Sequence, residues 1–154
     1  MRVNPTLELT MSSALLSSPT FAESRVARTS RRTLWAGRIM TSVAVAFLVF
    51  DTVIKFVGIK AAVEGTVALG YSADQLPIIA MLEVVCLVLY LIPRTAPLGA
   101  VLWTGYLGGA IATHLRLHNP LLTHVVFPVY VAALLWGGLY LRDARVRAVL
   151  GTTR

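Results

Sequence analysis

Hydrophobic and polar positions divide the chain into four long apolar runs, at residues 34–59, 76–92, 97–117 and 120–141. None alternates with a period of two, and all are far longer than the about 9–11 residues of a membrane strand. A membrane-crossing helix needs about 20 apolar residues, with about 17 as the lower limit, and each run reaches that length. Backbone groups facing lipid find no water, so a helix that satisfies its own backbone is the expected form. The pattern predicts an all-α fold, an antiparallel bundle of four transmembrane helices within residues 34–150.

The polar breaks set the limits. Asp74 stands where it can cap the second helix, with Gln75 and Pro77 in its first turn. Pro97 and Pro120 open the third and fourth runs, at a position where a missing N–H costs nothing. Links at 93–96 and 118–119 are short enough to force neighbouring helices antiparallel. Between the first two runs, "AAVEGTVAL" reads as a short interfacial helix ended by Gly70. Residues 1–33 have another character, rich in Ser, Thr and Arg and without helical period. Glu8 and several hydroxyls interrupt the apolar stretch that a secretory signal requires. A mitochondrial presequence is the alternative, with Glu8 and Glu23 against it, and a disordered cytoplasmic tail is the expectation.

Composition agrees with a bilayer: 56% of residues are hydrophobic and 14% charged, against about 45–50% and about 25% in a soluble domain. A net charge of +7 would suggest nucleic acid if the cations formed a stripe on a soluble fold. Here they gather outside the apolar runs. Arg2, Arg25, Arg28, Arg31, Arg32 and Arg38 precede or open the first helix, Arg94 lies between the second and third, and Arg142, Arg145, Arg147 and Arg154 follow the fourth. Four crossings put all of these on one side, leaving Lys60 and Arg116 opposite and Lys55 within a span. Lys and Arg excess marks the cytoplasmic side, so both termini are expected there, and nucleic acid is not expected as a partner. The single cysteine, Cys86, permits no intrachain disulfide and no CxxC centre.

The chemistry concentrates at one end of the bundle. Ionisable groups within a membrane are costly when isolated, so they face the interior and pair. Asp51 and Lys55 are four apart on one helical face. Glu83 lies about 10 Å below the outer end of the second helix, at a similar depth, with Lys55 as its nearest candidate partner. His114 closes the third helix and His124 opens the fourth. Antiparallel helices bring Asp51, Lys55, Glu83, His114 and His124 into the outer half of the bilayer, a polar pocket to which every helix contributes. The plainer reading of Asp51 and Lys55 is a neutralised pair that only fixes packing, with Lys55 snorkelling outward. His114, His118 and His124 lack the accompanying ligands of a metal or haem motif, so no metal is expected. Trp103, Tyr106, Tyr130 and Trp136 could stack on a quinone-like ring, or serve as ordinary core and interface aromatics. Gly105, Gly108 and Gly109 in "GYLGGAIATH" have the spacing of a close-packing helix face, and Gly137 with Gly138 could act likewise.

The segments "FDTVIK", "LGYSADQLP", "LEVVCLVLYLIPRTAPLGAVLWTGYLGGAIATH", "HVVFP" and "LWGGLYLRD", in that order, resemble the DoxX-like membrane proteins over about residues 36–150. Lys55, Glu83, Arg94 and His114 fall within the matching segments. The resemblance implies a four-helix, multi-pass protein of the cytoplasmic (inner) membrane. The family takes its name from a subunit of a thiosulfate–quinone oxidoreductase, and some relatives are membrane partners in redox or assembly complexes. The leading functional expectation is an accessory protein or subunit of a quinone-linked redox system, without catalysis of its own. In that reading Lys55 or His114 donates to a quinone carbonyl and Glu83 exchanges a proton. A proton-coupled small-solute carrier and a purely structural assembly partner are the alternatives. The expected partners are the lipid bilayer, a membrane redox or assembly protein, and a second copy of the chain.

Overall fold

The computed structural model describes residues 30–151, and every regular element among them is helical. Ser30 starts the first helix by accepting the Thr33 N–H on its hydroxyl. Helix α1 (Arg31–Val57) then runs to Gly58, whose left-handed φ of 70° ends it. The expected tail lies outside the described residues except for Ser30 and the first turn of α1, which begins three residues before the predicted limit. Then follow α2 (Lys60–Ala68), a 3-10 turn at Ala73–Gln75, α3 (Leu76–Leu91), α4 (Ala96–Arg116), α5 (Phe127–Arg142) and α6 (Ala144–Val149).

Four long helices close into a ring. Helix α1 packs between α3 and α5, and α4 completes the circuit between the same two. Neighbours run antiparallel: Gly37 near the start of α1 meets Leu141 near the end of α5. The closest approaches occur at glycines. A Cβ on Gly99 would lie 2.4 Å from the backbone nitrogen of Tyr90, and one on Gly138 would lie 2.5 Å from Thr41 Oγ1. Small residues let backbones meet where lipid offers helices no hydrophobic drive to associate. Gly105, Gly108 and Gly109 do not take that role within the chain, since a Cβ on any of them meets nothing within 4 Å. They lie on the outer face of α4, while Gly99, Ala100, Trp103 and Leu107 face the core.

Tyr90 and Trp103 fill the centre with Leu135 and Leu139, and the Tyr90 hydroxyl donates to the Leu135 carbonyl at 2.8 Å. The outside is apolar too, with Phe50, Phe56, Leu82, Val101 and Tyr130 all exposed. A continuous surface of that kind is a liability in water and the required one in hydrocarbon. Three segments, Arg31–Val57, Ala73–Leu91 and Leu121–Arg142, are long and apolar enough to cross a membrane. Helix α4 has the length, 21 residues, but its glycines and hydroxyls leave it less apolar. The expectation of four spans is therefore met by length and composition for three.

Two local expectations are corrected. Ser72, not Asp74, caps the entry to α3, in a reciprocal box whose Gln75 Oε1 accepts the Ser72 N–H at 2.9 Å. Pro120 precedes a π-type turn at Leu121–Val125, and α5 begins only at Phe127 with Pro128 in its first turn. Pro128 has no N–H for the His124 carbonyl, so an unbroken i→i−4 ladder cannot pass through it. After Arg142 the chain forms α6, because Asp143 Oδ1 accepts the Arg145 N–H at 2.9 Å and starts a new helix.

Candidate functional site

The end of the bundle where α1 stops and α3 begins carries the buried charge. Lys55 is one turn beyond Asp51 on α1, and its Nζ donates to Asp51 Oδ2 at 2.6 Å. The same Nζ reaches across to α3, where Glu83 Oε1 accepts at 2.5 Å, and to the Tyr106 hydroxyl of α4 at 3.3 Å. Tyr106 in turn donates its O–H to Glu83 Oε1. An ammonium has three protons, and these contacts use all three. The Glu83 side chain is 0% exposed, whereas Lys55 and Asp51 keep 19% and 29%. Two carboxyl groups face one amine. Glu83 Oε2 is buried with no hydrogen-bond partner, which marks the place where the network is incomplete.

Trp103 packs edge-to-face on Tyr106, ring centres 5.4 Å apart, and holds the tyrosine from the core side. On the other side, a cavity of about 570 Å³ opens above the network. Asp51, Lys55, His114, Asn119 and His124 supply its polar wall. Helix α2 roofs it with Ala61, Ala62, Gly65 and Ala68, whose small side chains leave the space empty. Arg116 pins that roof by donating Nη2 to the Leu69 carbonyl at 3.0 Å.

The histidines are placed by the end of α4. His118 leaves the helix in the left-handed region at φ 54°, and the Asn119 N–H returns to the His114 carbonyl at 3.1 Å. This reversal sets Asn119 Nδ2 against His114 Nδ1 at 2.9 Å. An amide NH2 only donates, so Nδ1 accepts and the ring proton sits on Nε2. His124, on the π-type turn, faces His114 with ring centres 5.5 Å apart and bonds Thr123 Oγ1 at 2.8 Å. His118 itself is exposed and lies beyond the end of α4. Among the described residues no group of three His, Cys, Asp or Glu side chains has the arrangement of a metal site.

The structure thus brings Asp51, Lys55, His114 and His124 to one cavity and sets Glu83 behind Lys55. Tyr106, expected as a stacking surface or an ordinary core aromatic, is the third contact of Lys55. Its depth was the available signal: it lies within about a turn of Glu83 when both are measured from the same end of the bundle. Asn119 had no sequence signal, because its role depends on the left-handed turn at His118.

Apolar helices around an internal acid–lysine–tyrosine network define a helical membrane protein. The chain belongs to the DoxX-like family, whose model matches residues 39–138, well over half its length and all of the network. No curated protein and no solved structure matches it.

Proposed function

We propose that this chain is an integral membrane accessory protein or subunit whose cavity receives the head of a membrane quinone. The observation that carries the reading is the cavity of about 570 Å³, a size usual for small-ligand sites, whose wall joins a fixed donor to an acidic network. A quinone head presents carbonyl acceptors and takes up protons when reduced. His114 Nε2–H is the donor for a carbonyl. Lys55 is not, since its protons are already taken by Asp51, Glu83 and Tyr106. Asp51 is the carboxylate of the network on the cavity wall, and Glu83 shares its charge through Lys55.

The same proposal includes topology. Counting α4, the chain crosses the cytoplasmic membrane four times with both ends inside. The arginines at the start of α1, in the α3–α4 link and after α5 support this, and among the described residues only Lys60 and Arg116, besides Lys55 of the network, are cations near the cavity end. The cavity then opens in the outer half of the bilayer.

Purification from the native membrane in mild detergent, followed by solvent extraction, tests the ligand. Wild type should carry quinone, and His114→Ala should lower the amount about 5–10-fold, the worth of one lost hydrogen bond. Equal quinone content in two equally folded preparations rejects the assignment.

A further inference from the structure

At the opposite end of the bundle a second cavity, of about 240 Å³, lies between α1, the α3–α4 link and the end of α5. Arg38, Arg142 and Asp143 are its charged residues. Arg142 lies over the Tyr90 ring, 5.4 Å from guanidinium carbon to ring centre. Its Nε and Nη2 are both buried and without a hydrogen-bond partner. These two N–H groups share one edge of the planar guanidinium, the edge that holds two oxygens of an oxyanion side by side. A buried cationic donor left unpaired is unfavourable, so an acceptor is missing here.

Asp143 does not supply it. Its Oδ1 accepts from the Arg145 backbone N–H at 2.9 Å and from Nε at 3.2 Å, and its Oδ2 accepts from Nη2 at 2.8 Å. Arg145 holds the Asp143 carboxyl below the usual carboxylate range. That pair is neutral within itself, which leaves the cavity with the two positive charges of Arg38 and Arg142. Arg38 keeps its guanidinium over Trp35, 5.8 Å from the ring centre, on the exposed side.

We propose that this cavity binds a phosphate oxyanion, gripped by Nε and Nη2 of Arg142 and neutralised from the rim by Arg38, and that the phosphate is the head of an anionic phospholipid. Two features favour a lipid over free phosphate. Arg38 lies nineteen residues before Val57, about 29 Å by helix rise, which is the thickness of the hydrocarbon layer. Beside the cavity, from Pro97 onward, an apolar groove of about 300 Å³ passes Leu98, Val101, Trp136 and Val149 and can seat an acyl chain. Both arginines fall outside the family match at residues 39–138, and the site is separate from the cavity of His114.

Native mass spectrometry of the full chain, equilibrated with phosphatidylglycerol or phosphatidylcholine, tests the inference. Wild type should retain phosphatidylglycerol at least about tenfold better than phosphatidylcholine, whose choline cancels the head-group charge. Arg142→Gln and Arg38→Gln should each remove most of that preference. Arg38 is exposed, so Arg38→Gln decides the matter if Arg142→Gln does not fold. Displacement of the lipid by millimolar inorganic phosphate, with the same dependence on both arginines, upholds the oxyanion site and makes free phosphate its source. No preference between the two lipids together with no phosphate binding overturns the proposal, as does equal retention by wild type and Arg38→Gln.

Discussion

Lys55 has three acceptors on three helices, and Glu83 has no other cation among the described contacts. Removing the ammonium therefore leaves a fully buried carboxylate uncompensated. Lys55→Met should lower stability by about 3–5 kcal/mol, and Lys55→Met combined with Glu83→Gln should recover much of it. Asp51→Asn should cost less than about 1 kcal/mol, because that pair is partly solvated. Tyr106→Phe removes a donor to a charged acceptor and should cost about 1.5–3 kcal/mol. Denaturant melts in one detergent order these four variants, and a double mutant no better than Lys55→Met would show that Glu83 has another partner. The Asp51–Lys55 pair was legible from its spacing alone, since residues four apart share a face. The Glu83 contact was legible only as a matching depth. Which atom completes it depends on side-chain reach across two helices, and that is not written in any local pattern.

Among the elements, glycine position separates packing from composition. Gly99→Ala should drive α4 off α3 and cost about 1–3 kcal/mol or more, because the added Cβ would meet Tyr90 backbone atoms. Gly105→Ala should be neutral or stabilise by about 0.5–1 kcal/mol, since the new methyl meets open space and alanine is the better helix former. Thermal melts of the two variants in detergent make the comparison, and a Gly105→Ala loss as large as that of Gly99→Ala would place a second chain on that face. Helix α6 depends on its cap. Asp143→Ala should weaken it by about 0.5–2 kcal/mol, read as faster hydrogen exchange at Val146–Leu150. The Asp143 carboxyl is held low by Arg145, so its contribution is complete above the ordinary aspartate range, near about 3.9. It is lost only as pH falls through the lower folded value. Wild-type exchange at these amides, corrected for intrinsic rate, should therefore be level from pH 7 to pH 5.

At the scale of the whole molecule the charges divide by end. Arg31, Arg32, Arg38, Arg94, Arg142, Arg145 and Arg147 stand at one end of the bundle and Lys60 and Arg116 at the other. In a Cys86→Ser background, Glu64→Cys should react with a membrane-impermeant maleimide added to intact cells. Arg94→Cys and Ala148→Cys should react only after the membrane is opened. The inverse pattern would reverse the proposed orientation and put the cavity on the inner face, and labelling of all three from outside would contradict a single orientation.

The sequence by itself determined the helical class, the number of long helices, their antiparallel order and the end at which the polar residues gather. These follow from backbone hydrogen bonding in lipid, run length and short links, all of which act locally along the chain. Only the tertiary structure decided that α4 turns Gly99 rather than Gly105 inward. It alone paired Tyr106 with Lys55, fixed the His114 proton through Asn119, and left Arg142 with two empty donors. Such outcomes depend on helix rotation and on the meeting of side chains distant in sequence. A few tens of degrees about a helix axis, invisible to a hydropathy pattern, separate a core contact from a lipid-facing one.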